Sequence, residues 1–508
     1  MTSPEAPQGV PAHKASHVGG LWRLLRHTSN YSAGTLLITL ASMVSFPIFT
    51  RTFTVAEYGM LGLVNVTLGF LVGVGKLGLQ QSVVRFYAEI EGGKRGGDRV
   101  GFFSTVLFGM LGVGMVASAL SALVFAVMPA RWWGHGGIQY LIAAVSPLIL
   151  VRVLDSAMLN LLRAEQKSGL YSFYAVIRKY LGLAFVVGVL FTVARNLWGF
   201  FLATLVSEAV ATGLLIAYYA RRDAFSPSRF SRPLFLAMLG FGLPLLASEL
   251  SGLLLSMGGR YIINFELGPG PLGSYSAAYN FCDYLQGVLT GAFAQAVVPM
   301  YLRMWEAQGR ARTEEFLQHA LHYYLMLAFP IVAGMAVVAP DLLRLLASDR
   351  YAVSTSLFVY IVSGMLVAGG TPIFSAGIYI NKLTRVVMYS VFTASAVNLV
   401  LTAVLTRRIG IEGAALATLC SLTVYTVLTG FFGRGTVSLR VPWSDLLKFA
   451  LMSGAMYAVT SRIDPVNSLE RIGLRIVGGA LLYGGLLLLV DARTRGLARK
   501  ALERLRGA

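Results

Sequence analysis

The sequence predicts an all-α membrane protein of about fourteen transmembrane helices, arranged as two parallel six-helix lobes in a V around a central cavity plus two C-terminal helices. Three observations lead there. The 508-residue chain is 56% hydrophobic and only 13% charged, whereas a soluble domain is closer to half apolar and a quarter charged. Its apolar runs repeatedly approach the ~20 residues that cross a bilayer core. Its formal charge of +19 gathers in short links between those runs, which suits the positive-inside rule better than a nucleic-acid-binding stripe, so no nucleic-acid partner is expected.

The elements follow in order. Residues 1–29 are polar and loop-like, with Pro4, Pro7, Gly9 and Pro11, and are expected as a cytoplasmic segment. The first apolar run, Tyr31–Thr50, is too long for a cleaved signal and has no small-residue cleavage site after it,. Spans are then expected near Tyr58–Val84, Val100–Met128, Gln139–Leu162, Tyr171–Val193 and Leu197–Tyr219, closing an N-lobe over residues 30–222. The link 223–232 contains "SPSRFSRP" and is the expected hinge between halves. A C-lobe over residues 233–433 takes Pro233–Met257, Gly273–Tyr301, Phe316–Val338, Val353–Ile380, Thr384–Thr406 and Glu412–Gly433. Residues 434–492 hold Trp443–Thr460, short and carrying Lys448, and Leu469–Val490, before a basic tail at 493–508. No link is long enough for a soluble domain.

Lys and Arg flank one side of these spans more than two to one over the other. The bias places both termini in the cytoplasm. Omitting Trp443–Thr460 would move the cluster Arg493–Arg506 outside, against the rule,.

A repeat supports the two-lobe expectation. Residues 59–87 set against 273–301, a shift of 214, align Gly59 with Gly273, Leu71 with Leu285, Gly73-Val74 with Gly287-Val288, Gln81 with Gln295, Val83-Val84 with Val297-Val298, and Tyr87 with Tyr301. The shift spans six expected helices, an even number, so the copies share one orientation, as in transporters with parallel repeats.

Asn30 and Gly34, a span with the late proline Pro47, then "TRTFTVAEYGMLGL" and "KLGLQQSVVRFYAE", together resemble the first two spans of the polysaccharide transporter family. These are oligosaccharide-lipid flippases of the multidrug/oligosaccharidyl-lipid/polysaccharide export superfamily. The resemblance implies that "RTFTVAEYG" is a tight outer corner between spans one and two. It also implies a secondary transporter that makes no covalent bond, needs no cofactor and flips a polyprenyl-diphosphate-linked glycan outward across the bacterial inner membrane. A polymerase and glycosyltransferases of the same pathway would be its partners.

Ionisable residues within spans are costly and face an interior or a water-filled path. Arg152 lies ten residues before Leu162, ~15 Å deep at 1.5 Å per residue. Asp155 is three residues on, so a same-face ion pair is available as a structural alternative to a diphosphate anchor,. The apolar run Tyr180–Val193 is too short to span alone, so its helix must take in Arg178 and Lys179,. Lys76 reads first as a snorkelling side chain and second as a substrate contact. Arg51 and Arg260 flank outer corners and read as interfacial anchors. Glu208, Glu249 and Asp283 are candidates for proton or sodium coupling, each against the plainer reading of a hydrogen-bonded helix contact.

Other chemistries find little support. "GVGKLG" (Gly73–Gly78) matches a dinucleotide-binding pattern but lies in an apolar helix with no preceding strand,. No phosphate-binding loop pattern occurs, and His319 and His322 share a helix face without an evident third metal ligand,. The two cysteines, Cys282 and Cys420, sit in apolar runs. A multidrug or cation-coupled exporter and a peptidoglycan-precursor flippase are the alternatives within the same fold. A glycan polymerase or ligase would be an enzyme, and would need a large outer loop with catalytic residues.

Overall fold

The computed structural model describes residues 17–93, 98–129, 137–223 and 225–496. Residues 1–16, Lys94, Arg95, Arg131 and the basic tail from 497 on lie outside the described residues. The described residues are helical throughout, with no strand.

Helix α1 (His17–Thr52) starts well before Tyr31, so the part of the expected N-terminal loop from His17 on is helical instead. It gives way to α2 (Val55–Lys76) within two residues. The Thr54 hydroxyl accepts the Glu57 N–H at 3.2 Å, and the Glu57 carboxylate accepts the Thr54 N–H at 2.9 Å. This reciprocal capping box explains why a polar stretch interrupts two apolar runs: it satisfies donors that the new helix cannot satisfy itself. The second expected span is then split. Leu77 and Gly78 are both left-handed (φ 49° and 68°), and α3 (Leu79–Glu91) follows directly. Only glycine fits at 78, where a Cβ would stand 2.0 Å from the Gly242 carbonyl oxygen,.

Helix α4 (Arg99–Val127) is capped by Asp98. Helices α5 (Ile138–Val145) and α6 (Pro147–Ala164) form the fourth span as a pair bent by 42°, because Pro147 has no N–H to continue the ladder. Helices α7 (Ser168–Thr192) and α8 (Leu197–Asp223) complete the first half. The link beyond is stitched to α4: the N–H groups of Ser226 and Ser231 donate to the Ser104 and Thr105 hydroxyls at 3.2 and 2.9 Å.

In the second half, α9 (Arg232–Leu253) passes through a π-helical turn, Leu254–Gly258, into α10 (Gly259–Leu267). The helix expected to stop at Met257 thus runs on. Helix α11 (Pro269–Ala347) holds two expected spans in one stretch broken at Gly309 (φ 75°). Helices α12 (Thr355–Phe374), α13 (Ala376–Ile380), α14 (Thr384–Ile409) and α15 (Ile411–Gly433) follow, then α16 (Trp443–Thr460) and α17 (Ser468–Val490). Among the described residues 11 helices are long and apolar enough to cross a membrane, or 12 with the bent pair as one span. The expected fourteen is not confirmed by that measure, in which Asp445 and Lys448 lower the hydropathy of α16 and α11 counts once although it breaks at Gly309 between the two expected spans.

The halves meet where α2 crosses the start of α11. A Cβ on Gly59 would meet the Pro269 carbonyl oxygen at 2.4 Å, and a Cβ on Gly273 would meet the Val55 carbonyl oxygen at 1.9 Å. Gly59 and Gly273 are equivalent under the shift of 214, and so are Val55 and Pro269. One turn on, Gly62 faces Ser276, again its equivalent. Reciprocal contact between equivalent residues is the mark of a two-fold relation.

Candidate functional site

Helices α6, α7 and α8 bring together four of the charged residues singled out in the sequence. Arg152 on α6 donates from Nε and Nη2 to the two Glu208 carboxylate oxygens on α8, at 2.8 and 3.0 Å. Asp155, one turn along α6, is bound by Arg178 on α7 and accepts the Tyr174 hydroxyl at 2.7 Å. The Arg152–Asp155 pair that the spacing made available as an alternative is therefore not formed, and two pairs between helices stand instead. Side chains on that face of α6 point toward α7 and α8, where a carboxylate can meet the guanidinium fork head-on.

This ionic layer separates two cavities. One, of 530 Å³, lies on the side of the α1–α2 corner and is lined by Phe46, Tyr58, Asn65, Lys179 and Arg260 among others. The other, of 780 Å³, lies toward the opposite ends of the helices and is lined by Lys76, Gln80, Arg85, Asn160 and Arg163 among others. Arg152, Arg178 and Glu208 line both.

In the corner-side cavity four cations (Arg152, Arg178, Lys179 and Arg260) face one acid, Glu208. Lys179 makes no hydrogen bond or ion pair among the described residues. Arg260 is 6% exposed. It donates to Asn280 Oδ1 at 3.2 Å and lies over the Tyr279 ring at 5.1 Å, with no carboxylate in ion-pair range among the described residues. Asn280 in turn donates to the Tyr58 hydroxyl at 3.2 Å. Arg260 is thus no interfacial anchor: the continuation of α9 through the π turn carries it into the interior. Its sequence signal was the apolar "YII" that follows it where a loop was expected. Arg51 stays exposed at the corner, where its guanidinium donates to the carbonyls of Leu345 and Leu346 at 2.7 and 3.2 Å and so caps α11,.

On the other side of the layer, Lys76 lies 3.9 Å from Glu249 on α9, and Gln80 donates to Glu249 at 2.5 Å. Lys76 therefore faces a cavity and a partner. Near it the Ser82 hydroxyl donates to the Met238 carbonyl at 2.7 Å, so α2, α3 and α9 tie the two halves together here. Asp283 is exposed, makes no hydrogen bond or ion pair among the described residues, and stands apart from the layer. His322 bonds Asp445 at 2.7 Å, close to Lys448 and Asp491, and so belongs to a cluster fastening α16 and α17 to α11. Among the described residues no group of three His, Cys, Asp or Glu is placed to hold a metal ion.

A cavity whose cations outnumber its acids can hold an anion, and guanidinium forks suit phosphate oxygens. Residues 24–305 match the polysaccharide biosynthesis protein family. The chain belongs to that family. It is 23% identical over 334 residues to the succinoglycan biosynthesis transport protein ExoT of Rhizobium meliloti, covering 65% of this chain and 62% of that one. It is 21% identical over 248 residues to the probable low-salt glycan biosynthesis flippase Agl15 of Haloferax volcanii, covering 48% and 52%. This family member thus spans between half and two thirds of the length of these relatives. Among solved structures, lipid II flippase MurJ in an inward closed conformation superposes with a TM-score of 0.73 at 18% identity, over 90% of this chain and 98% of that one. A transporter of the MOP superfamily (multidrug/oligosaccharidyl-lipid/polysaccharide export) from Pyrococcus furiosus superposes with a TM-score of 0.53 at 15% identity, over 81% and 95%. The family member therefore has the all-α fold of that transporter superfamily.

Proposed function

We propose that the protein is a secondary transporter that flips a polyprenyl-diphosphate-linked oligosaccharide from the inner to the outer leaflet of the cytoplasmic membrane by alternating access. The observation that carries this reading is the surplus of cations in the corner-side cavity, above all Lys179 and Arg260, neither of which has a carboxylate in ion-pair range among the described residues. A diphosphate supplies the missing negative charge. Coming from the inner leaflet it meets Arg152 and Arg178 as Glu208 and Asp155 give way to phosphate oxygens, and Lys179 and Arg260 hold it on the corner side of the layer,. Nothing in this exchange makes or breaks a covalent bond.

Glu249 is the coupling candidate best placed to act on motion, because it joins α9 to Lys76 and Gln80 across the two halves. A proton or sodium ion on its carboxylate releases Lys76 and loosens that contact. Glu208 and Asp283 remain further candidates. The charge bias places both termini in the cytoplasm, and glycosyltransferases and a polymerase of the same pathway are the proposed partners. A drug exporter is disfavoured by the cationic lining, and a peptidoglycan-precursor flippase would share the diphosphate and differ in the headgroup carried.

The test is flipping of a fluorescent polyprenyl-diphosphate sugar in proteoliposomes. The Lys179→Ala, Arg260→Ala double variant should reach the membrane at normal level and lose flipping. Flipping at the wild-type rate in that variant, or none by the wild type, overturns the reading.

A further inference from the structure

We infer that the cleft between α7 and α8 is a lateral slot through which the prenyl chain of the substrate stays in the bilayer while its charged group crosses inside. The inference rests on the function proposed above for the identity of that substrate. A cleft of 700 Å³ runs along the two helices and is lined by Ile177, Leu181, Phe185, Val206, Val210 and Leu214, with small residues between them. Leu181 and Leu214 are 65% and 68% exposed, so the cleft opens toward lipid.

Three features join this cleft to the anion site. Arg178, Gly182 and Ser207 line both the cleft and the corner-side cavity. The wall between them is thin and made of small groups: a Cβ on Gly182 would stand 3.6 Å from Ser207 Oγ, and one on Gly188 would meet nothing within 4 Å. The lining of α7 extends from Tyr174 to Thr192, ~27 Å at 1.5 Å per residue, close to the ~30 Å hydrocarbon thickness.

The physical need is specific. A diphosphate cannot cross in hydrocarbon, and a prenyl chain has no reason to leave it. Lipid tails are as apolar as leucine, so the slot supplies passage and little affinity. It must therefore run the height of the membrane beside the cations, and it must keep its form while the halves move. The α7–α8 cleft meets both demands, since the two helices belong to one half. The apolar cleft of 570 Å³ between α11, α16 and α17 does not, because the charge at its edge, Arg475, is held by Asp341 at 2.6 Å.

The experiment staples the wall shut. Gly182→Cys and Ser207→Cys are introduced together in a chain carrying Cys282→Ala and Cys420→Ala, and the protein is reconstituted in vesicles. Oxidation should slow flipping of the fluorescent polyprenyl-diphosphate sugar about tenfold or more, and reductant should restore it. Binding of inorganic diphosphate should be the same in both states, which separates a closed slot from a damaged anion site. Complete cross-linking with unchanged flipping overturns the slot and leaves the proposed function standing. A wild type that neither flips the lipid nor binds diphosphate overturns both. Independently of any variant in the wall, a photoreactive group on the prenyl chain should label α7 and α8 of the wild type. Labelling confined to other helices, or equal labelling by a photoreactive phospholipid, overturns the slot.

Discussion

The two halves build corresponding trios of helices with opposite chemistry. In the first half, α6, α7 and α8 are joined by Arg152–Glu208 and Arg178–Asp155. In the second, α12 and α15 are joined by the Thr371 and Thr426 hydroxyls at 2.8 Å, and α14 and α15 by the Asn398 amide on the Thr418 hydroxyl at 3.4 Å. Helix α12 has no charged residue, and those of α14 and α15 (Arg385, Arg407, Arg408 and Glu412) stand at helix ends. Neutral hydrogen bonds therefore suffice to hold such a trio. Charged groups in a span cost ~3 kcal/mol each on insertion scales, so their presence in one trio only argues for a use beyond packing.

The comparison can be broken or sharpened by substitution. The largest effect is expected for Arg152→Ala, which leaves Glu208 without its partner and should lower stability by ~3 kcal/mol, read as membrane abundance and thermal melting. Arg152→Lys should keep part of the flipping, since a point charge remains while the fork is lost. Next comes Gly273→Ala at the contact between halves. Its methyl would press on the Val55 carbonyl at 1.9 Å, and overpacking of this kind costs ~2 kcal/mol, measurable as a lower melting temperature. The smallest effect is expected for Thr371→Val in the neutral trio, ~1 kcal/mol for one hydrogen bond, with flipping per molecule unchanged. A loss of flipping there as large as for Arg152→Ala would end the distinction between the halves.

Much of this was legible from residues alone. Depth within apolar runs marked Arg152, Arg178, Lys179 and Glu208 as interior, because burial of charge follows from position along a helix. Their pairing was not legible, since which helix lies beside α6 is a tertiary fact; hence Asp155 was matched to Arg152 when it binds Arg178. The corner was legible through the family resemblance of "RTFTVAEYG", and its physical cause, the Thr54–Glu57 capping box, emerged with the structure. Arg260 was read as an interfacial anchor because nothing in the sequence marks the π turn that continues its helix, while the polar residues expected as a link around Gly309 are where α11 breaks.

The central claim is that the ionic layer serves the substrate and is dispensable for packing. The direct test removes one of the two ion pairs of the first trio, with Arg152→Leu and Glu208→Leu together, and measures the rate of flipping per folded molecule in proteoliposomes. Replacing a buried ion pair by apolar groups of similar volume is often neutral for stability, so abundance and melting should stay near wild type while flipping is lost. Flipping at the wild-type rate in that double variant would contradict the account.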